Sequence, residues 1–233
     1  MNDTPDRSGI VGDQHVGGSH GLDGFGMILA SASPRRAELM RSHGYTFDVQ
    51  PADDAVEDGR RPGEPAADMV RRYAIAKAAD VAGHPSLIGR DLIIVAADTV
   101  ASIDDDVLGK PTDRDHADAM IRRLAGSTHG VFTGIALRVR TADGATPWAT
   151  DDVCRTTLLM DPLSDDERRT YLDTGRWRGK AGAFGYQDGN DWVRIIDGEG
   201  TNVVGLPMPR LAELLIMAAQ SADLSKTDTP PKD

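Results

Sequence analysis

Leu92-Ile93-Ile94-Val95-Ala96-Ala97-Asp98-Thr99-Val100 is an almost unbroken apolar run with an acid near its end. A run of this length that does not alternate reads as a strand buried on both faces, the kind found at the centre of an α/β sheet. An acid at the C-terminal end of such a strand stands where open α/β sheets place ligand chemistry, so Asp98 is expected to face a cleft. A helix cap or turn acid is the ordinary alternative, but Val100 and Ile103 point to a second strand rather than a helix. Asp104-Asp105-Asp106 would make the turn between them. Lys110 returns in Leu108-Gly109-Lys110-Pro111, where the glycine and proline restrict the loop. Gly-Lys-Pro can equally be a plain turn.

Upstream, Leu29-Ala30-Ser31-Ala32-Ser33-Pro34-Arg35-Arg36 runs a short strand into a helix start. Pro34 suits the first helical position and Ser33 can cap the free amides, which predicts a helix over Pro34–His43. Free amides, the positive end of the helix dipole and two guanidiniums then converge where a phosphate could sit. An ordinary surface helix with two solvated arginines is the competing reading. Downstream, Gly179-Lys180-Ala181-Gly182-Ala183-Phe184-Gly185-Tyr186-Gln187 lets backbone approach a ligand closely, and its amide side chain can pair with a base edge. Asn202-Val203-Val204-Gly205-Leu206-Pro207 leads into a helix whose Leu211, Leu214, Leu215 and Ala218 share a core-facing side.

Between these segments strand and helix patterns alternate. Asp113 can cap a helix with Ala117, Met120, Ile121 and Leu124 on one face, closed by Gly126. Ser164 and Glu167 form a capping box for another, ending near Gly175. Two strand-like stretches, Gly130–Arg140 and Trp148–Met160, flank an Ala142-Asp143-Gly144 turn. The pattern predicts an α/β fold with an antiparallel portion and no internal repeat.

The chain of 233 residues is long enough for one substantial core, as two lobes sharing one sheet. A formal net charge of −11 and a pI near 4.9 argue against broad nucleic-acid binding. An acidic protein that handles an anion must concentrate its positive charge, and Arg35, Arg36, Lys77, Lys110 and Lys180 are the candidates, with Lys77 otherwise a solvated helix residue. The single cysteine, Cys154, excludes an intrachain disulfide and is expected in a strand. No apolar stretch nears the roughly 20 residues of a membrane span and no signal pattern opens the chain, so a cytoplasmic address is expected. Residues 1–26 are expected to be a disordered extension, with Met27 a candidate translation start, and 221–233 a disordered tail.

Leu29–Arg36 with Glu38-Leu39, Ala97-Asp98-Thr99-Val100, Leu108-Gly109-Lys110-Pro111, Lys180–Gln187 and Val203-Val204-Gly205-Leu206-Pro207 together resemble the motifs of the Maf family of nucleoside triphosphate pyrophosphatases. The resemblance runs from Met27 to Ala219. It implies an elongated α/β fold of two lobes, residues 27–220, around a nucleotide cleft, with a mixed central sheet, a divalent cation (Mg²⁺ or Mn²⁺), and hydrolysis between the α and β phosphates. Arg35, Thr99 and Gln187 are similar to the branch that prefers dTTP and UTP, whereas Phe184 and Tyr186 depart from its usual residues. Asp98 is the implied proton acceptor, and Ser33, Arg36, Lys77, Lys110 and Lys180 the expected phosphate ligands. The family's acidic cluster aligns with Asp54-Ala55-Val56-Glu57-Asp58 after a two-residue shift, making Glu57 and Asp58 candidate metal ligands. All six histidines, His129 among them, are scattered, and neither Ser31 nor Ser33 has a recognisable His partner. Water attack without a covalent nucleophile is therefore expected. The expected partners are the triphosphate and, as an alternative to a monomer, a second copy of the chain, with neither nucleic acid nor membrane. A nucleotide-binding regulator of septum formation with incidental hydrolysis is the alternative function, and a phosphatase releasing terminal phosphates a third.

Overall fold

A computed structural model describes residues 24–227, with side chains to Ser221. The elements are β1 (Gly26–Leu29), α1 (Pro34–Ser42), β2 (Asp48–Val49), α2 (Ala66–Ala82), β3 (Leu92–Ile103), β4 (Asp106–Leu108), α3 (Arg114–Leu124), β5 (Thr128–Arg140), β6 (Trp148–Met160), α4 (Asp165–Asp173), β7 (Val193–Asp197), α5 (Gly200–Val204) and α6 (Met208–Thr227). They form one mixed sheet in the order β2-β1-β3-β5-β6-β7, with β4 also paired to β3. β1 runs parallel to β2 and β3, and the remaining pairs are antiparallel.

The central apolar run is a single strand of 12 residues, so Asp98 lies in mid-strand and not at a strand end followed by a second strand. The reason is pairing. On one side β5 accompanies β3 through Asp98↔Gly134 to Ser102↔Gly130, which keeps it extended. On the other side β1 stops at Leu29↔Val95, and β4 begins only at Ala101↔Leu108. Asp98 therefore sits at a break in one edge ladder, where the chain leaving β1 turns into α1. The turn to β4 uses two acids rather than three: Asp104 and Asp105 adopt φ of 49° and 64°, and Asp106 already belongs to β4. Asp tolerates this left-handed region better than most side chains do.

Strand alternation sorts β3 between two helical layers. Ile94 and Ala96 pack with Ala74, Ala78 and Val81 of α2. Ile93, Val95 and Ala97 pack with Met40 of α1 and Leu211, Leu214 and Leu215 of α6. Farther along that second face Ala101 and Ile103 join a separate cluster with Ile121 and Leu124 of α3, Leu172 of α4 and Phe184. The second face thus carries two separate apolar clusters along strands about 40 Å long, with Thr99 between them.

The helix ends follow the caps written in the sequence. Ser33 caps α1 with His43 as its C-cap, Asp113 caps α3 by accepting from His116 N at 2.8 Å, and Ser164 with Glu167 completes a capping box on α4. At the C-terminal side, α6 continues to Thr227, so residues 221–227 are helical where a loose tail is expected. After Pro209 in its first turn, no glycine or proline interrupts the sequence before Pro230. The expectations for residues 1–23 and 228–233 lie outside the described residues.

Candidate active site

A cleft of about 400 Å³ opens at the break in the edge ladder. Its lining includes Ser33, Arg35, Arg36, Glu57, Lys77, Asp98, Thr99, Lys110, Lys180 and Gln187. Segments more than 150 residues apart in the chain are thus brought to one place. Asp58 is the exception. Its carboxylate turns outward to Arg72, which also donates to Gly59 O at 2.9 Å and Glu64 Oε2 at 2.7 Å, and it does not line the cleft. These bonds anchor the loop after Glu57 to α2 and commit Asp58 to that anchor.

Asp98 points to the α2 side of the sheet. Lys77 donates to its Oδ1 at 2.7 Å and lies 2.6 Å from Glu57 Oε1. Lys77 is buried, not solvated, because it stands on the same helical stripe as Val70, Ala74, Ala78 and Val81. The alanines let the helix lie close to the sheet. Gly134, directly opposite Asp98 on β5, lets it lie closer still: a Cβ there would overlap the Val70 carbonyl. A buried ammonium between two carboxylates is a satisfied cluster. Burial pushes Glu57 upward, but the Lys77 hydrogen bond and the charges of Lys77, Lys110 and Arg36 outweigh it and hold the carboxyl below its usual range.

Thr99 points the other way. Its Oγ1 receives Arg36 Nη2 at 3.0 Å and lies 3.0 Å from Thr133 Oγ1, which donates to Asn202 O at 3.0 Å. Arg36 also donates to Gly205 O at 2.7 Å and Ser31 Oγ at 2.9 Å. Gly205 has φ 126°, a conformation that only glycine adopts easily. Asn202, fully buried, donates to Val131 O at 3.2 Å and Thr156 Oγ1 at 3.0 Å, while Glu199 caps α5 through Thr201 N at 2.6 Å and Asn202 N at 2.7 Å. Burial lowers the pKa of Arg36, opposed by Asp98, then deepened by Arg35. Ser31, Thr133, Asn202 and Glu199 are members that sequence reasoning did not assign to the site. A threonine at the strand centre and an asparagine just before the apolar pair Val203-Val204 were the available signals.

The opposite wall is the loop from Arg178 to Asp188. Arg35 reaches it, donating Nη2 to Gly179 O at 2.7 Å, and burial lowers its pKa against the opposing charge of Asp188. Lys180 is buried and its ammonium is paired with Asp188, a residue sequence reasoning did not single out. Arg178 stacks on the Trp177 ring with its Cζ 4.5 Å from the centroid, and Gln187 and Lys110 stand exposed at the cleft. Beneath the loop, Phe184 meets His129 edge to face at 5.4 Å between centroids. His129 is buried and neither ring nitrogen has a hydrogen-bond partner, so its place is in the core.

Among the described residues no three metal-ligating side chains converge. Glu57 and Asp98 nevertheless approach one cation together, and Mg²⁺ is commonly held by one or two carboxylates along with substrate phosphates and water. The residues present fit a metal that arrives with a triphosphate. No helix among the described residues is long and apolar enough to cross a membrane.

Residues 26–218 match the family of Maf-like proteins, and the chain belongs to it. A protein of Rhodopirellula baltica named dTTP/UTP pyrophosphatase is 50% identical over 204 residues, spanning 87% of this chain and 86% of that protein. Proteins of the same name from Pelotomaculum thermopropionicum and Geobacter sp. strain M21 are 38% and 40% identical, covering 81% of this chain and 94% and 93% of theirs.

Proposed function

We propose that the protein is a nucleoside triphosphate pyrophosphatase that hydrolyses dTTP and UTP to the nucleoside monophosphate and pyrophosphate. One observation carries this reading: the cleft joins Asp98, held by Lys77, to Arg35, Thr99 and Gln187 in a chain half identical to a relative named for that activity. All three relatives carry an enzyme's name, which weighs for hydrolysis over the regulatory alternative.

In this mechanism Asp98 accepts the proton of a water that attacks the α-phosphorus, and pyrophosphate leaves. Lys77 orients the carboxylate and Glu57 shares its charge, so Asp98 is presented in one position. Arg36 fixes the Gly205 carbonyl and the Thr99 hydroxyl on the base side. Arg35 and the exposed Lys110 meet the phosphates electrostatically. Glu57 would help to hold a divalent cation arriving with the triphosphate, which would supply further neutralisation of phosphate charge.

The test is product identity. Purified protein with Mg²⁺ or Mn²⁺ should convert UTP and dTTP to UMP and dTMP with stoichiometric pyrophosphate. Orthophosphate as the sole product would overturn the reading in favour of a phosphatase.

A further inference from the structure

The Lys180–Asp188 pair fits poorly with a phosphate ligand awaiting substrate. Both side chains are only 11% exposed, and the pair lies across Gly185, where a Cβ would overlap both the ammonium and the carboxylate. Backbone bonds close the same turn: Ala183 N donates to Lys180 O at 3.1 Å and Asp188 N to Gly185 O at 3.2 Å. Asn190 Nδ2 adds a bond to Gly185 O at 3.2 Å, and Gly182 N ties the loop to Gly109 O at 3.1 Å. Gln187 precedes Asp188 directly and is exposed at the cleft. Whatever fixes Asp188 therefore fixes the place from which Gln187 reaches a base. A buried ion pair is costly to break from one side, because the remaining charge loses its partner.

We propose that Asp188 is a positioning residue: by taking the charge of Lys180 it turns that lysine from a phosphate ligand into the clasp of the 180–188 loop, and so sets the height at which Gln187 meets a pyrimidine. This rests on the nucleotide reading above and adds the means of its selectivity. Phosphate charge is then left to Arg35, Lys110 and Arg178, which line the cleft and have no carboxylate partner among the described residues.

The experiment compares wild type with Lys180→Met, Asp188→Asn and the double variant by three readouts: kcat/KM for UTP against CTP, inhibition by inorganic pyrophosphate, and amide exchange of residues 183–190. The clasp predicts that each single variant lowers the UTP/CTP ratio about tenfold and that the double variant is no worse than either, since both remove one interaction. It also predicts pyrophosphate inhibition within about twofold of wild type and faster exchange in all three variants. Additive losses would overturn the proposal, as would unchanged exchange, or pyrophosphate weakened by Lys180→Met and strengthened by Asp188→Asn. If Lys180→Met does not fold, the isosteric Asp188→Asn decides through exchange and selectivity. A wild type inert toward UTP would overturn the functional reading instead, while exchange and pyrophosphate binding by calorimetry still decide the clasp.

Discussion

The two walls of the cleft hold their polar groups by different means. On the sheet wall Asp98 and Thr99 are consecutive residues of a paired strand, so their opposite directions follow from strand alternation and their heights from the Asp98↔Gly134 and Thr99↔Thr133 register. Each is then locked from behind, Asp98 by Lys77 and Thr99 by Arg36 and Thr133. On the loop wall Gln187 has no ladder beneath it, and its placement depends on the Lys180–Asp188 pair and a few backbone bonds. A register is shared among many bonds, whereas a clasp is one interaction. The first wall suits chemistry that tolerates no misplacement, and the second suits a contact that can be tuned.

The sharpest way to break this contrast is on the sheet wall. Asp98→Asn removes the proton acceptor but keeps its shape, and Lys77 retains Glu57 at 2.6 Å, so the fold and nucleotide binding should survive. Turnover should fall by roughly 10²–10⁴, the usual contribution of a positioned base. Equilibrium binding of UTP measured beside kcat checks this, and loss of binding together with activity would make Asp98 a structural or metal-holding residue instead.

Beneath the loop wall the expected effect is on stability. Burial pushes the His129 imidazole down to about 4, against a weaker upward pull from the Ser127 backbone. An unfolded histidine takes up its proton near 6.5, so acidification through the window from 6.5 to about 4 favours the unfolded chain. Stability from this group is complete above that window and lost within it, by up to roughly 3 kcal/mol. His129→Leu should flatten the decline, which urea midpoints at pH 7, 5.5 and 4.5 would measure. Parallel curves for the two proteins would remove His129 from the account.

A smaller effect tests what brings Lys77 to Asp98. Gly134→Ala places a methyl against the Val70 carbonyl, and α2 must withdraw from the sheet or distort. A loss of about 1–3 kcal/mol is expected, as for other overpacked sites, together with reduced kcat because Lys77 moves with the helix. Full activity in a destabilised Gly134→Ala protein would mean that the spacing of α2 does not govern the catalytic carboxylate.

The sheet wall was largely legible in the sequence for the same reason that it is rigid. A long apolar strand, a Ser-Pro helix start and capping residues are local signals, and the structure realises them at Leu92–Ile103 and Pro34–Ser42. Which side of the strand Asp98 faces, and that the strand continues past it, depended on where β1 and β4 pair, and pairing is nonlocal. Lys77 read equally as a solvated helix residue because its burial is decided by small residues on two elements, Ala74 and Gly134. The loop wall was legible only as composition. Lys180 was readable as a phosphate ligand until Asp188, eight positions on, came round to meet it.

The smallest expected effect falls on Gln187, and it separates the two walls most finely. Gln offers both a donor and an acceptor, the set needed to pair with the carbonyl and imide edge of uracil or thymine, whereas Arg35 offers donors only and already spends one on Gly179 O. A site built around polar pairing rejects a mismatched base strongly because its own groups are left unsatisfied, while apolar contacts discriminate by only about 1–3 kcal/mol. Gln187→Ala should therefore narrow the gap between UTP and purine triphosphates more than it lowers the best rate. Because Gln187 is exposed and no hydrogen bond ties its side chain to another described residue, its loss should leave the loop and the Lys180–Asp188 pair in place. If Gln187 instead served only to stiffen the loop, kcat/KM would fall by the same factor for every nucleotide. Measuring kcat/KM for UTP, dTTP, CTP and GTP in both proteins distinguishes the two, and a uniform decline would leave base selection to Arg35 and to Thr99, whose place is set by strand register rather than by a clasp.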